Sequence, residues 1–183
     1  MAGVFKEAVL TAKGIALLAK AQAGKCTIKL TEAASGSGAY MEDEELVSRT
    51  ELKEQQQTFP LVAVRTQNES SVYVKFIMTN KQDSNELKTG YYVKEIGIFA
   101  MDPDEEEILY AIAIGNAEQW DYMPAYNDLL PSTITVEFLA EVVNADDVTV
   151  DMPCTTYLYD ETTGQKYMLG VNNGLLFYEE VEE

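Results

Sequence analysis

The sequence predicts an α+β fold that is mainly β: an N-terminal helix packed on an antiparallel β-sheet or sandwich, followed by a small C-terminal β-hairpin appendage. Helical spacing of apolar and small residues is confined to the first 24 positions. Several later segments alternate apolar and polar residues with period two, which is typical of strands with one buried face. Near the C-terminus, Asn173-Gly174 is the dipeptide of a tight hairpin turn.

The helix is predicted over Thr11–Ala23. Thr11 is a residue type that caps helix starts, and Gly24 is placed to end a helix. All of residues 1–24 have a helical pattern, but Gly14 interrupts it and favours the shorter range. The stripe predicted to be buried consists of Val4, Ala8, Ile15, Leu18, Ala19 and Gln22.

Strands are predicted where apolar residues alternate with polar ones or run together. They are Cys26–Leu30, Leu61–Thr66, Val72–Thr79, Tyr91–Met101, Glu107–Ile114, Thr133–Val143 and a short Val148–Met152. Loops are predicted at Ser35–Gly38, Lys81–Thr89 and Gly115–Leu130, and Leu46–Gln57 is either a loop or a short helix. Pro60 is expected at an edge or at the start of a strand, because it cannot donate to a sheet.

A break at Pro153 divides the chain into a main domain, 1–152, and a small β-unit, 153–183. An isolated unit of this size is marginally stable in water. We therefore expect its apolar residues to pack on the main domain, on another subunit or on a second protein. These residues are Tyr157, Tyr159, Tyr167, Leu175, Phe177 and Tyr178.

The charge of the chain disfavours several classes of partner. Its 183 residues include 13 Lys and Arg against 31 Asp and Glu, a formal net charge of −18. Such a surface repels nucleic acid and anionic membranes. No apolar stretch is long enough to cross a membrane, and Lys13 and Lys20 interrupt the apolar stretch that a signal peptide would need. We expect synthesis in the cytosol and no membrane insertion.

Catalytic and metal-binding patterns are not found. The chain has no His, which removes the usual general base and the commonest transition-metal ligand. Cys26 and Cys154 form no CxxC pair, so a zinc site is disfavoured. The sequence leaves two alternatives for these cysteines, one disulfide between them or two free thiols. The acidic run Asp102–Glu107 lacks the spacing of a calcium loop and is expected to be a solvated turn. We predict no enzyme activity, no cofactor and no metal.

The loop over Gly115–Leu130 carries Trp120, Tyr122 and Tyr126. Large aromatic residues in a loop either plug the end of a β-core or serve as anchors at an interface. Both interpretations are open from the sequence. Asp121 and Asn127, close by, would also suit a sugar that stacks on these rings.

Three stretches taken together resemble the N-terminal domain of bacteriophage tail-collar fibre proteins. They are Leu10–Gly14 continued by Ala16–Gly24, then Val93–Ala100, then Ile108–Ala111 with Asp121–Pro124 after it. Their order and spacing also match, over about residues 1–150. The sequence departs from the family at Ala34–Gly38, where such proteins tend to have a Gly-Asp-Gly turn. The C-terminal unit resembles a small hairpin unit of other short phage structural proteins, whereas tail fibres usually continue into a long shaft.

The resemblance implies an attachment role. Such domains fix a fibre to the baseplate of a phage tail or of a phage-derived contractile particle, usually as a trimer. We therefore expect a virion structural protein, located in the tail after synthesis in the bacterial host cytoplasm. Its expected partners are baseplate wedge or fibre proteins. The expected contacts are its β-faces, the aromatic loop and the C-terminal unit.

Glu95, Gly97 and Phe99 of the second stretch serve either the fold or direct contact with a partner, and their position in mid-strand favours the fold. Glu95 is expected to pair with a buried partner, and Gly97 to allow the close approach of another backbone. Two other functions are weighed against attachment. The first is a module that binds host-surface carbohydrate. The second, ranked last, is an acidic carboxylate enzyme, because no particular pair of carboxylates stands out.

Overall fold

Eight strands form one sheet in a computed structural model of the protein. The structure describes residues 5–68, 71–82, 85–116, 119–141, 148–149, 156–159, 166–172 and 175–180. Side chains are described through residue 137, apart from 63–68 and 71–72 among these. The chain divides into two units, Met1–Met152 and Pro153–Glu183.

The described part of the first unit contains one helix and twelve strands. Helix α1 is Ala12–Gln22. The strands are β1 (Val9–Leu10), β2 (Ile28–Gly36), β3 (Gln55–Asn68), β4 (Ser71–Thr79), β5 (Lys81–Gln82), β6 (Asn85–Glu86), β7 (Tyr91–Val93), β8 (Glu95–Met101), β9 (Glu107–Ile114), β10 (Asp121–Met123), β11 (Thr133–Glu141) and β12 (Val148–Thr149). The mainly β, antiparallel prediction is therefore confirmed.

The large sheet has the order β1-β9-β8-β2-β3-β4-β11, and β12 pairs with β2 in parallel. The other strand pairs of this sheet are antiparallel. Strand β3 changes partner along its length: Pro60 pairs with Glu32 of β2, and Leu61 pairs with Phe76 of β4. Pro60 thus lies inside a strand, and the prediction of an edge or strand start is wrong. Its missing N–H is tolerated because one ladder ends there and the next begins.

The core lies between the helix and the inner face of the sheet. Val74, Phe76 and Met78 of β4 are fully buried, as their alternation predicted. Strand β9 is buried from Ile108 to Ile114. Ile108 and Tyr110 pack with Leu17 in this core, whereas Leu109 and Ile112 belong to a second buried cluster. Apolar burial of this kind is the main driving force of folding.

The helix begins and ends close to where the sequence predicted. The Gly14 N–H donates to the Thr11 hydroxyl at 3.0 Å, so Thr11 is the N-cap. Gly24 follows the helix with φ = +68°, a conformation that favours glycine. Gly14 lies on the packed face: a Cβ there would lie 3.0 Å from the Tyr110 carbonyl carbon. The helix approaches β9 closely because residue 14 has no side chain.

Several local predictions are wrong. The buried helix stripe is Gly14, Leu17 and Ala21, whereas Ile15, Ala19 and Gln22 are exposed. Val9 and Leu10, which share the helical pattern but precede the predicted helix, form β1, with Val9 paired to Ile112. Val4 of the predicted stripe lies outside the described residues. Residues Ser35 and Gly36, predicted as loop, belong to β2.

Other predicted elements are subdivided in the structure. Lys81–Thr89 contains the short strands β5 and β6, and Gly115–Leu130 contains β10. Tyr91–Met101 consists of two strands, β7 and β8, separated at Lys94. Short pairings of this kind leave only two or three residues of pattern, too few to show a period.

The second unit contains three antiparallel strands, β13 (Thr156–Tyr159), β14 (Lys166–Asn172) and β15 (Leu175–Glu180), in the order β13-β14-β15. Their side chains lie outside the described part of the structure. Cys26 is a half-buried free thiol, and Cys154 lies outside the described residues. Within the described ranges, no helix is long and apolar enough to span a membrane, and no group of side chains is arranged to hold a metal ion.

Candidate interaction surface at one end of the sheet

The candidate surface lies where β8 begins and β9 ends, since Glu95 pairs with Ile114. Here Lys94 bridges two segments through its backbone. Its N–H donates to the Gly36 carbonyl at 2.9 Å, and its carbonyl accepts from the Gly115 N–H at 2.7 Å. Next to it, β7 and β10 form a two-stranded ribbon. The surface is therefore built on paired backbone.

A buried carboxylate fixes the long loop between β2 and β3. Glu95 is completely buried and accepts from the N–H groups of Gly38 at 3.0 Å, Lys53 at 2.8 Å and Glu54 at 2.7 Å. The Tyr40 hydroxyl donates to the second carboxylate oxygen. No lysine or arginine among the described residues forms an ion pair with Glu95. The buried partner expected for Glu95 is thus a set of neutral donors.

Tyrosine and glycine are both required around this carboxylate. Burial, and then the bond to Glu95, raises the pKa of Tyr40 above its ordinary value, so its hydroxyl stays protonated and remains a donor. A Cβ at Gly36 would lie 2.8 Å from the Glu95 Cγ, and one at Gly38 would lie 2.5 Å from Glu95 Oε1. The glycines of the Ser-Gly-Ser-Gly run therefore make room for the carboxylate. The loop predicted at Ser35–Gly38 is wrong for Ser35 and Gly36, which belong to β2.

The ribbon carries an exposed pair of aromatic rings. Tyr92 and Tyr122 pair across β7 and β10, with ring centroids 5.0 Å apart and planes tilted by 55°. Their exposed fractions are 53% and 52%. Their neighbours Tyr91 and Met123 are buried, which anchors the opposite face of the ribbon. Two large apolar rings are thus held in the solvent on a fixed support.

Trp120 forms one wall of a cleft beside the ribbon. The Lys94 ammonium lies 4.6 Å from the centroid of the indole, within the range of a cation–π contact. A Cβ at Gly115 would lie 2.6 Å from the Trp120 Cδ1, so glycine allows the indole to lie directly on the backbone. Lys6 and Tyr40 also line the cleft, whose volume is about 350 Å³.

Tyr126 lies away from both the tyrosine pair and the cleft, and it contacts Lys81 and Leu87. The Lys81 ammonium lies 4.5 Å from its ring centroid and 3.4 Å from its hydroxyl oxygen. The Tyr126 N–H donates to the Leu87 carbonyl at 2.9 Å. Each of the three predicted loop aromatics therefore has a different partner, and only Tyr122 belongs to the exposed pair.

The comparison with protein families gives one match. The family model of the phage tail-collar fibre protein, N-terminal, matches residues 1–162. The chain belongs to this family. Searches of curated proteins and of solved structures returned no match.

Family membership gives this chain a structural role in a phage tail. It implies a location in the virion tail and assembly with other tail proteins. The carbohydrate-binding alternative is not favoured by this membership. The family is typically non-enzymatic.

The predicted contacts of the C-terminal unit remain predictions. Tyr157 and Tyr159 lie in β13, Tyr167 in β14, and Leu175, Phe177 and Tyr178 in β15. Their side chains fall outside the described part of the chain. Backbone pairing places Tyr157 opposite Met168 and Phe177 opposite Gly170.

Sequence reasoning missed four residues of this surface: Lys6, Tyr40, Tyr92 and Lys94. One signal was available, because Tyr91 and Val93 are apolar neighbours in a strand pattern and leave Tyr92 facing outward. The other three residues come from separate segments whose side chains converge only in the folded chain. Gly97 also has a different role from the expected one: a Cβ there would meet the Leu109 side chain at 2.7 Å rather than a backbone.

Proposed function

We propose that this protein attaches a fibre to the baseplate of the tail, as a homotrimer, through the surface at the Glu95 end of the sheet. The observation that carries the proposal is the exposed Tyr92–Tyr122 pair. Each of the two residues is about half exposed, although the ribbon that carries the pair is fixed by backbone pairing. The proposed neighbours are baseplate wedge or fibre proteins.

Exposed aromatic pairs of this kind suit assembly. Tyrosine is enriched at protein interfaces and among the residues whose truncation costs most binding energy. A ring that is already held in place loses little conformational freedom when a partner covers it. Tyr92 and Tyr122 contact each other, so a partner can cover both as one patch of apolar surface.

The C-terminal unit, residues 153–183, is proposed as a second contact. Its support is its sequence, because a unit of about 30 residues rarely buries its own apolar side chains in water. We expect removal of 155–183 to leave the first unit folded and to impair assembly. A truncated chain that fails to fold would instead make this unit part of the core.

The experiment is immunogold electron microscopy of tail particles from an induced lysate of the source strain. Wild-type label is expected at the distal end of the tail. The double variant Tyr92→Ser/Tyr122→Ser is expected to remain folded and soluble but to lose particle label. The matched control is Ile15→Ser, which removes an apolar side chain 48% exposed on α1.

Each outcome tests a separate part of the proposal. Wild-type protein that is abundant in the lysate but absent from particles contradicts the attachment role. Normal labelling by the double variant shows that attachment uses another surface. Sedimentation of the purified chain as a monomer contradicts the trimer, and saturable binding to a glycan array would favour the carbohydrate module.

A further inference from the structure

The cleft beside Trp120 contains two lysines that have no carboxylate partner. Most described cations form ion pairs, as Lys13 does with Glu105 and Lys53 with Glu44. Among the described residues, neither Lys6 nor Lys94 does so. Two unpaired cations in the lining of one cleft are unexpected in a chain with a net charge of −18.

Backbone pairing brings both lysines to the lining of one cleft. The Lys6 N–H donates to the Ile114 carbonyl at 2.9 Å, and the Lys94 carbonyl accepts from Gly115, the next residue. Both backbones are therefore fixed to the same end of β9. Lys94 is half-buried against the indole of Trp120, whereas Lys6 is exposed. An anion in the cleft compensates the charges of these two lysines, which have no carboxylate partner among the described residues.

The walls of the cleft add an apolar component. Trp120 and Tyr40 present aromatic rings, and Tyr40 is fixed by its bond to Glu95. The volume of about 350 Å³ is that of a few side chains rather than of a large ligand. One carboxylate, Glu42, is exposed and lines the cleft without pairing to either lysine.

We propose that this cleft binds an acidic peptide segment of a neighbouring tail protein. Carboxylate side chains of the segment pair with Lys6 and Lys94, and an adjacent apolar or aromatic side chain packs on Trp120. The inference rests on the proposed assembly role, because that role makes proteins the partners. It adds the chemistry of the partner and a contact separate from the Tyr92–Tyr122 pair.

The chain provides its own reporter for the test. Trp120 is its single tryptophan, so selectively excited tryptophan emission reports on the cleft alone. The probes are a peptide with the sequence of residues 178–183, Tyr-Glu-Glu-Val-Glu-Glu, and a hexaglutamate peptide, titrated into the full chain. The matched control peptide has glutamine at each of the four glutamates.

We expect both acidic peptides to change Trp120 emission in a saturable way that weakens with salt, and the glutamine peptide to have no effect. Lys6→Gln and Lys94→Gln should each weaken binding about fivefold, the upper range for a partly exposed ion pair. Glu42→Gln should strengthen binding, since it removes a like charge. Lys25→Gln, an exposed lysine outside the cleft, should leave it unchanged.

Three results overturn the inference: no emission change with either acidic peptide, equal binding of the glutamine peptide, or unchanged binding by Lys94→Gln. A response to an oligosaccharide of glucuronic acid but not to the peptides also overturns it, because the ligand class is then wrong. If the acidic peptides do not bind but the double variant Tyr92→Ser/Tyr122→Ser loses particle label, the peptide inference fails and the attachment role stands. Circular dichroism confirms that each variant is folded.

Discussion

Two carboxylates lie at opposite ends of β8, and the fold satisfies them in different ways. Glu95, at the start of the strand, is 0% exposed, and Asp102, just after its end, is 3% exposed. Glu95 receives only neutral donors, namely backbone N–H groups and the Tyr40 hydroxyl. Asp102 receives the Lys20 ammonium, with its two oxygens 2.7 and 2.8 Å away.

The difference follows from what each carboxylate holds in place. Glu95 holds a loop without regular structure, whose N–H groups have no strand or helix partner at this point, so the carboxylate replaces that partner. Asp102 holds the last turn of α1 against the turn between β8 and β9. A lysine in a last helical turn also interacts favourably with the helix dipole. The Glu95 end thus forms the candidate surface, while the Asp102 end joins the helix to the sheet.

The largest expected effect of a substitution is at Glu95. Glu95→Ala leaves the Gly38 N–H without its acceptor in a buried site, and the N–H groups of Lys53 and Glu54 without theirs in partly buried ones. Because each unsatisfied buried group costs about 1–3 kcal/mol, we expect a loss of about 3 kcal/mol or more in the free energy of unfolding. Urea denaturation followed by circular dichroism measures it.

The control for this prediction is Glu51→Ala, an exposed glutamate in the same loop, expected to change stability by less than about 0.5 kcal/mol. Glu95→Gln keeps an acceptor oxygen but turns an amide donor toward other donors, so its loss should lie between the two. Equal stability of the alanine variant and the wild type would show that the loop does not depend on this carboxylate.

The sequence predicted the strands at both ends of this comparison but not the contacts. Glu107–Ile114 and the helix after Thr11 follow from local patterns, and both are found. The donors to Glu95 come from residues 41 to 57 positions earlier in the chain, and no local period links them to it. The same holds for the cleft, whose lining contains both Lys6 and Lys94 because Phe5 pairs with Gly115 at the end of β9.

A smaller effect is expected at the other end of β8. Asp102→Asn keeps an acceptor for the Asp104 N–H, which donates to Asp102 at 2.9 Å, but removes the charge that faces Lys20. We expect a loss of about 1 kcal/mol, since Lys20 is partly exposed and solvent screens the pair. The control is Asp104→Asn, which also removes a partner of Lys20 but is 75% exposed at its side chain and should cost less. Equal losses for the two variants would show that burial of Asp102 adds nothing.

The smallest effect is the pH dependence of this same ion pair, which separates charge from packing. The bond from Lys20 holds the pKa of Asp102 below its ordinary value, although burial opposes this. The native state therefore binds fewer protons there than the unfolded chain, so the contribution is complete above the ordinary Asp pKa of about 4 and is lost as the pH falls through the lower native value. The Lys20 pKa is raised, so the stability that Lys20 contributes through this ion pair is lost only in strong alkali, above about pH 10.

The stability difference between wild type and Asp102→Asn should thus be constant from pH 7 to about 5 and should shrink toward zero below about pH 4. Urea unfolding at each pH measures this difference, and because the other acidic groups titrate in both proteins, their effects cancel. A stability difference that persists unchanged at the lowest pH would mean that the Asp102→Asn variant loses stability through packing. Both ends of β8 would then be held by packing and hydrogen-bond geometry rather than by charge.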